Sequence, residues 1–595
     1  MAGESPFTSQ PKYLASEASD EEKFRPRRCH RGVILLLSIG SLLSLYAIQI
    51  ANLQLLRGEI NLDRAENNRL RLLPIPAKRG EIFDRRESRL ASSRLARSVY
   101  LWPREKSPQA WQETADKLSQ IVDIPAEEII QKLEERGYNS RLSVRIKQDI
   151  TPGMFIAIAE QSADFKGVEV RGESQRYYPE NKLAAHVLGY IGEASLEELE
   201  AHPEYPMGML TGQMGVERIA NSQLDGIWGN RLIEVNAKGE EIQELGIQSP
   251  QMGEPVQLTL DLKLQKAAET ALGNRRGAVV ALDVKTGAIL AIASYPTFDP
   301  NSFSDGVTEA EWQQLQRGEN PLLNRALQGF PPGSTFKIVT AIAAIESGKY
   351  SPTSTVATSA AITIGGISFH EHNDKGYGTI GFRDALAFSS NTFFYQVGMN
   401  AGAHQISKWG KELGIGGSIN LDILGLDGAN HGQIPTPEQK KELYDLPWYT
   451  GDTVTMAIGQ GLVLATPLEL ATMVGTVVNG GYRVQPHLFA SQTNTPETQP
   501  TKTAISPQAL SVVRQGLIDV VKKGTGRGLN DGSIPLTGGK TGTVEVPGQP
   551  NNSMYVGFGP ADKPEIAIAV LVEGGGYGSV AAAPVAKAVF QAYFQ

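Results

Sequence analysis

Cysteine is almost absent from this sequence, because Cys29 is the only one among 595 residues. A single cysteine cannot form a disulfide within the chain, which excludes a fold held together by a disulfide framework. The cysteine content therefore gives no positive evidence for an oxidising compartment, although it leaves that location open.

An excess of positive charge is also missing. The chain carries 56 Lys and Arg against 64 Asp and Glu, for a net charge of -8, and no basic stripe runs along it. Proteins that bind nucleic acid usually carry clustered positive charge, so we expect no nucleic-acid partner.

The length excludes a single hydrophobic core, because domains usually hold about 100 to 200 residues.

Charged residues are missing from one long run near the N-terminus, residues 32–56. Roughly 20 apolar residues in a helix cross about 30 Å of hydrocarbon, so this run is long enough to span a membrane. Four arginines precede it: Arg25, Arg27, Arg28 and Arg31. The positive-inside rule then predicts a cytoplasmic tail over residues 1–31, a single pass through the plasma (inner) membrane, and an extracytoplasmic, periplasmic remainder.

Two other interpretations of this run compete with an anchor. A cleaved signal peptide usually has about 7 to 15 apolar residues and an Ala-x-Ala end, and the run is longer and lacks that end. A buried core helix fits poorly with the length and the preceding arginines. We therefore expect an uncleaved transmembrane helix.

The first outer segment, residues 57–250, mixes short strands, turns and acidic helices. We find no catalytic constellation in it. Its charge pairs, Arg79 with Asp84 or Glu217 with Arg218, are interpreted as structural ion pairs rather than as a site, because such pairs are common.

The second outer segment, residues 251–595, has strand patterns at both of its ends. A hairpin pattern, "GAVVALDVKTGAILAIAS", lies near its start, and "KTGTVEV", "MYVGFGPA" and "EIAIAVLVEGG" lie near its end. Helical periodicity dominates between them, over residues 300–530. This order predicts an α+β domain with a central antiparallel sheet, built from the two ends and covered by helices.

The stretch "PPGSTFKIVTA" places Ser334 and Lys337 three residues apart at the start of a predicted helix. The helix should pack its apolar side chains into a core, namely those of Phe336, Ile338, Val339, Ile342 and Ile345. One interpretation is that Ser334 caps the helix and Lys337 is exposed in its first turn. The other is that this turn holds a nucleophile and its base on one helical face.

Each candidate motif of this chain has a decoy. Ser-x-x-Lys recurs at residues 9–12, in a polar tail. Ser-x-Asn occurs at residues 389–391 and again at 418–420, where flanking glycines suggest a turn entering a strand. Lys-Thr-Gly occurs at residues 540–542 and again at 285–287, in the predicted hairpin turn. The ordered set that starts at positions 334, 389 and 540 lies in one extracytoplasmic segment, and this order indicates a single site.

The chemistry of such a site can be derived from the residue types. A serine hydroxyl is a weak nucleophile at neutral pH and needs an adjacent base. Lys337 can serve only when it is neutral, and a nearby cation such as Lys540 and partial burial would both lower its pKa. A helix N-terminus would also favour the anion that develops on Ser334.

With this set of motifs, the chain resembles the class B penicillin-binding proteins, which are D,D-transpeptidases of peptidoglycan synthesis. The resemblance runs from the anchor to the C-terminus and includes "RGEIFDR", "GVERIANSQLDG" and "IGQGLVLATPLEL". Within the class, "LPWYTGDT" is similar to the enzymes of cell elongation. The resemblance implies a β-rich pedestal of the dimerisation type over residues 57–250 and a transpeptidase domain over 251–595.

The resemblance also implies a role for each site residue. The catalytic residues would be Ser334, Lys337 and Ser389, with Ser389 relaying a proton to the leaving amine. The backbone N–H groups of Ser334 and Thr543 would form the oxyanion hole, and Asn391 would hold the substrate amide. Residues that bind the D-Ala-D-Ala stem peptide would be Asn391, Lys540, Thr541, Gly542 and Thr543.

The cluster "FHEHNDKGYG" could hold a metal by ligand type, through His370, His372 and Asp374. Some relatives are thought to use a cysteine inside the Ser-x-Asn triplet as a zinc ligand, but Ser390 occupies that position here. We therefore expect a solvated or structural loop, with no metal and no cofactor.

The resemblance implies a serine-type D,D-transpeptidase that cross-links stem peptides in cell-wall elongation and is inactivated by β-lactams. The resemblance implies a further partner, a membrane-embedded glycosyltransferase of the shape, elongation, division and sporulation (SEDS) family. The alternatives are a division-specific transpeptidase, a D,D-carboxypeptidase or β-lactamase-type hydrolase, and a penicillin-sensing receptor. The anchor and the large pedestal argue against a hydrolase, and no effector domain supports a receptor.

Overall fold

A computed structural model of the chain describes residues 29–57, 59, 69–140, 143–202, 205, 209–236, 241–304, 307, 309–316 and 319–595. Most of the predicted cytoplasmic tail, including the decoy motif at residues 9–12, lies outside the described residues. The chain divides into two units. One comprises residues 1–73 with 230–248, and the other comprises residues 74–229 with 249–595.

The first unit contains the apolar helix. The helix Cys29–Ala51 continues into a π-helical turn, Asn52–Leu56. Its apolar part, Gly32–Leu55, has 24 residues and none of it is buried, so by length and composition it can cross a membrane. The unit also contains a three-stranded sheet, whose strands in spatial order are Leu70–Ile75, Gly229–Val235 and Glu241–Gln248.

The second unit begins with a small mixed domain. Its long strand Arg89–Leu101 pairs in antiparallel fashion with Val168–Tyr177 and with Val144–Lys147. Three helices surround the buried ring of Trp111: Pro108–Val122, Ala126–Arg136 and Pro152–Glu160. Shorter elements follow: Ala185–Leu188, Ile191–Glu193, Leu196–Ala201, Leu210–Gly212, Gly215–Ile219 and Asn221–Leu224.

Two strands tie this small domain to the rest of the unit. Ile82–Phe83 pairs with Arg89–Leu101 and also, in parallel, with Val256–Gln257 from beyond residue 250. The domain bounds at residues 57, 250 and 251 remain a prediction.

The charge pairs of this region are structural, but their partners differ from those we expected. Glu217 is fully buried and accepts hydrogen bonds from Arg79 Nε and Arg176 Nε, each at 2.6 Å. Arg218 pairs instead with Asp427 at 2.7 Å. Asp84, the expected partner of Arg79, accepts backbone N–H groups, including that of residue 262 at 3.0 Å. Sequence neighbours were therefore a poor guide to ion pairs between distant segments.

The predicted central sheet is confirmed as one five-stranded antiparallel sheet. Its strands are β1 (Gly277–Asp283), β2 (Ile289–Tyr295), β3 (Gly538–Val546), β4 (Gln549–Gly559) and β5 (Ile566–Val572), in the spatial order β2-β1-β5-β4-β3. Strands from both ends of the segment therefore meet at β1 and β5.

Helices cover both faces of this sheet. Because side chains alternate along a strand, Val279 and Ala281 pack on one face and Val280 and Leu282 on the other. Helices Leu262–Leu272 and Ala582–Phe594 cover the first face. The second face is covered by α1 (Lys337–Glu346), Pro467–Val478 and Pro507–Lys522.

The central stretch adds further helices and small hairpins around the second face. The helix α2 (Asn391–Ala401) packs against α1. The other helices are Pro300–Ser304, Glu309–Gln316, Phe382–Ala387, Ala403–Glu412, Pro437–Tyr444 and Thr450–Ala457. The short strands are Thr355–Ala357, Ala361–Ile364, Ile367–His370, Thr379–Gly381, Tyr482–Arg483 and Thr501–Lys502.

Candidate active site

Ser334 lies in a 3₁₀ turn, Gly333–Phe336, that leads directly into α1. No side-chain cap bond is present at the start of either element, so the cap interpretation of Ser334 finds no support. The five apolar residues predicted to face the core are all buried. Ser334 itself is only half-buried, which leaves it open to a substrate.

The turn is packed between two backbone segments. The N–H of Gly333 donates to Gly459 O at 2.9 Å, within the "IGQG" stretch. Gly333 has φ +53°, and a Cβ there would lie 3.0 Å from the carbonyl oxygen of Thr543 on β3. Glycine is thus required at position 333 both by its conformation and by the close approach of β3.

The three predicted motifs meet at the hydroxyl of Ser389. Lys337 is fully buried, and its Nζ donates to Ser389 O at 2.7 Å and to Asn391 Oδ1 at 2.6 Å. It also lies 3.3 Å from Ser389 Oγ. Lys540 Nζ, likewise buried, donates to Ser389 Oγ at 2.8 Å and to Thr541 O at 3.0 Å. The hydroxyl of Ser389 therefore lies between the two lysines.

Ser389 occupies this place through an unusual backbone conformation. It has φ +58°, in the left-handed region that residues other than glycine rarely adopt. The next residue, Ser390, caps α2 by accepting the N–H of Phe393 at 3.3 Å. The tight turn before α2 thus brings Ser389 and Asn391 to the same lysine.

Burial governs the charge of both lysines. It lowers the pKa of Lys337 to about 7, and Glu371 opposes this shift. Burial also lowers the pKa of Lys540 well below its usual value, and the neighbouring Lys337 lowers it further. We expected partial burial and the cation Lys540 to lower the pKa of Lys337, but complete burial is what lowers it, and the charge coupling instead lowers the pKa of Lys540. Near neutral pH a large fraction of Lys337 is therefore uncharged.

The remaining residues of the Lys-Thr-Gly strand have distinct surroundings. The hydroxyls of Thr541 and Thr525 lie 2.6 Å apart, and Thr543 Oγ1 accepts the N–H of Gly578 at 3.4 Å. Gly542 packs against the turn that carries Ser334, since a Cβ there would lie 3.2 Å from Pro332 O. Its lack of a side chain lets β3 lie alongside Ser334.

The described decoys lie elsewhere. The triplet at 285–287 forms the turn between β1 and β2. The triplet at 418–420 precedes a 3₁₀ helix, Leu421–Ile423, so the expected strand after it was wrong. Asn420 caps this helix through its side chain, which explains the polar residue there.

Sequence reasoning missed Glu371, which contacts the second motif of this site. It lies in the "FHEHNDKGYG" loop and is only 2% exposed. Its carboxylate accepts hydrogen bonds from Ser390 Oγ at 2.7 Å and from the N–H of Asn391 at 2.6 Å. The pattern of the loop offers no signal that separates this buried acid from the exposed Asp374.

The same loop holds the residues considered as metal ligands. The side chains of His370 and Asp374 are 64% and 85% exposed and lie 3.8 Å apart. Within the described part of the chain, no three His, Cys, Asp or Glu side chains are grouped to hold a metal ion. The loop is therefore solvated at these two residues and structural at Glu371.

The site combines three features. Ser334 is half-buried at a helix start, Lys337 is buried with a lowered pKa one turn away, and Ser389 lies between two lysines. This combination is typical of a serine acyltransferase. Comparison with known proteins identifies the family. Residues 277–591 match the penicillin binding protein transpeptidase domain, and residues 74–258 match the penicillin-binding protein dimerisation domain. The chain belongs to the family of penicillin-binding transpeptidases.

Individual relatives agree with this family. The chain is 31% identical over 583 residues to the peptidoglycan D,D-transpeptidase MrdA of Escherichia coli K12, covering 92% of this chain and 91% of the relative. Penicillin-binding protein 2 (PBP2) of Helicobacter pylori, solved in complex with MreC, is 28% identical with a TM-score of 0.77, covering 88% and 99%. A chain of a solved peptidoglycan synthase complex is 32% identical with a TM-score of 0.71, covering 95% and 98%.

These comparisons confirm the predicted class, activity and cellular role. The chain is a peptidoglycan D,D-transpeptidase of the cell-elongation type, and neither the division-specific, the hydrolase nor the receptor alternative is favoured. The apolar N-terminal helix fits a membrane anchor.

Removal of divalent metals tests the loop at residues 370–374. We expect EDTA to change neither the labelling of the protein by a fluorescent penicillin nor its melting temperature, because no complete metal shell is present among the described residues. The measurement is thermal unfolding with and without chelator. A clear loss of stability that zinc restores would contradict this interpretation of the loop.

Proposed function

We propose that this chain cross-links stem peptides through an acyl intermediate on Ser334, with Lys337 as the base and Ser389 as the proton relay. The observation that carries the proposal is the set of buried contacts from Lys337 to Ser389 and Asn391, one helical turn from Ser334. The lowered pKa of Lys337 and its position one helical turn from Ser334 support its proposed role as the base.

The acylation step follows from these positions. Ser334 Oγ attacks the carbonyl carbon of the penultimate D-Ala, and its proton passes to neutral Lys337. The carbonyl oxygen takes the displaced electron pair and is stabilised by the backbone N–H groups of Ser334 and Thr543. The C–N bond then breaks, and the terminal D-Ala leaves as an amine after Ser389 passes it the proton from Lys337.

Transfer reverses the same route. The amine of a second stem peptide attacks the ester carbonyl on Ser334, and its proton returns through Ser389 and Lys337 to Ser334 Oγ. A new amide bond forms as the ester bond breaks. Exclusion of water at this stage separates a transpeptidase from a hydrolase.

The strand β3 is proposed to bind the donor peptide. Lys540, Thr541 and Thr543 hold its terminal carboxylate, and Gly542 allows the close approach of the strand to the nucleophile turn. Asn391 holds the amide of the peptide with its side chain. The position of β3 alongside Ser334 supports this assignment.

For the whole chain we propose a cytoplasmic tail over residues 1–31 and a transmembrane helix over 32–56. The pedestal over 57–250 and the transpeptidase domain over 251–595 then lie in the periplasm. The arginines before the apolar helix support this topology.

Covalent labelling tests the assignment of the nucleophile and base. We expect the intact mass of the protein to rise by one penicillin after treatment, and this adduct to be absent in Ser334→Ala. Lys337→Ala should also lose the adduct, because Ser334 loses its base. Lys285→Ala, the lysine of the decoy triplet, is the matched control and should label like the wild type. Labelling of Lys337→Ala at a near wild-type rate would falsify the base assignment, and rapid drug turnover would indicate a β-lactamase.

We further propose that the enzyme works with a membrane-embedded SEDS-family glycosyltransferase. One relative belongs to a peptidoglycan synthase complex in which polymerization and crosslinking are coordinated, which supports such a pairing. Another relative is bound to MreC. A tethered polymerase would raise the effective concentration of new strands near Ser334.

Depletion of the protein in a rod-shaped host tests this cellular role. We expect rounded or widened cells, because side-wall synthesis would lose its cross-linking enzyme. Microscopy of the depleted cells gives the result. Filaments, together with a septal location of the protein, would contradict the elongation role while leaving the chemistry untouched.

A further inference from the structure

The carboxylate of Glu371 forms a compact set of hydrogen bonds at the start of α2. Besides Ser390 Oγ and the N–H of Asn391, it accepts the N–H of Thr392 at 3.1 Å and Thr392 Oγ1 at 2.9 Å. The first N–H groups of a helix have no partner within the helix, and a carboxylate satisfies them well. Glu371 therefore fixes the residues just before and within the first turn of α2.

The neighbouring residue His370 fixes the amide of Asn391. The Nδ2 of Asn391 donates to His370 O at 3.2 Å, which leaves Oδ1 directed at Lys337 Nζ at 2.6 Å. Glu371 and His370 O thus hold the backbone and the side chain of Asn391 respectively. The orientation in which Asn391 accepts from Lys337 depends on this loop.

The conformation of Ser389 makes such a clamp necessary. A residue other than glycine rarely adopts the left-handed region, and surrounding contacts must hold it there. Ser390, which follows directly, is tied to Glu371 by its hydroxyl. Release of this tie would let the turn relax and move Ser389 Oγ away from the two lysines.

We propose that Glu371 is a positioning residue of the reaction, whose carboxylate holds Ser389 and Asn391 against Lys337 and places a negative charge beside the lysine pair. The inference rests on the proposed roles of Ser334 and Lys337. In this proposal, a loop outside the three motifs keeps Ser389 and Asn391 in contact with the two lysines.

The negative charge of Glu371 shifts the pKa of Lys337 in a known direction. A nearby anion favours the protonated lysine, so Glu371 raises the pKa of Lys337 against the effect of burial. The other titratable groups around Glu371 and Lys337 are Lys540, His372, Tyr377, Tyr395 and, beside Tyr395, Glu545. Burial lowers the pKa of His372 and raises the pKa values of Tyr377 and Tyr395. All three side chains are therefore uncharged around neutral pH and do not account for a change of rate there.

The test compares Glu371→Gln, Glu371→Asp and a matched control in the full-length protein in detergent. The control is Glu469→Gln, another buried carboxylate that caps a helix, accepting the N–H groups of Thr466 at 3.0 Å and Gly432 at 2.9 Å. For each variant, the second-order rate constant of acylation by a fluorescent penicillin is measured from pH 5 to 9. Melting temperature reports the stability of each variant.

Two changes are expected in Glu371→Gln. Its limiting acylation rate should fall by about 10²-fold, which a misplacement of catalytic groups by about 1 Å can cause. Its rate should also rise at a lower pH than in the wild type, because Lys337 loses the anion that raises its pKa. Glu371→Asp keeps the charge and should hold the wild-type pH dependence with an intermediate rate. Glu469→Gln should lose stability but keep both the rate and its pH dependence.

The proposal is overturned if Glu371→Gln acylates within about twofold of the wild type, or if its pH dependence stays unmoved as in Glu469→Gln. If Glu371→Gln does not fold, Glu371→Asp decides: a wild-type rate overturns the clamp, and a rate lowered by tenfold or more at unchanged pH dependence supports it. Failure of the proposed function has a different signature, because the wild type itself would then lack a penicillin adduct on Ser334.

Discussion

The active site depends on keeping lysine side chains out of water. A buried ammonium group loses its hydration, and the protein offsets part of this cost with oxygen acceptors, since Lys337 contacts Ser389 O and Asn391 Oδ1. The remaining cost appears as a pKa near 7 for Lys337. A solvent-exposed lysine, charged at neutral pH, could not take the proton of Ser334.

The fold provides this environment by joining distant segments. The sheet edge β3 carries Lys540 from near the C-terminus, while α1 and the turn before α2 carry Lys337 and Ser389. Helices cover the second face of the sheet, and Lys337 at the start of α1 is fully buried there. Because strands from both ends of the domain pair at β1 and β5, the position of β3 relative to α1 is fixed by the whole sheet.

Motif spacing predicted the centre of this site, and strand patterns predicted its sheet. Ser334 and Lys337 are three residues apart at a helix start, so their spacing alone places them on one helical face. Apolar runs and strand patterns identified all five strands, β1 to β5. Contacts between segments far apart in sequence were harder to predict. The ion pairs of Glu217 and the strand expected after residue 420 were wrong, because neighbouring residues and glycines say little about distant partners.

Glu371 shows the same limit most clearly. In the sequence it is one acid in a polar loop beside His370, His372 and Asp374. Its importance arises from burial and from the unpaired N–H groups of α2, which only the folded chain brings to it. The sequence predicted a solvated or structural loop without assigning a role to Glu371, and the structure directs this carboxylate at the backbone and hydroxyls of the second motif.

The central claim is that neutral Lys337 takes the proton of Ser334. It is tested most directly by the pH dependence of the acylation rate of the wild-type protein by a penicillin. The account predicts a rate that rises with pH through an apparent pKa near 7 and then levels off, because the uncharged form of Lys337 is the active one. A rate that stays constant from pH 6 to 8, or that rises only above about pH 9 as for an ordinary lysine, would contradict it.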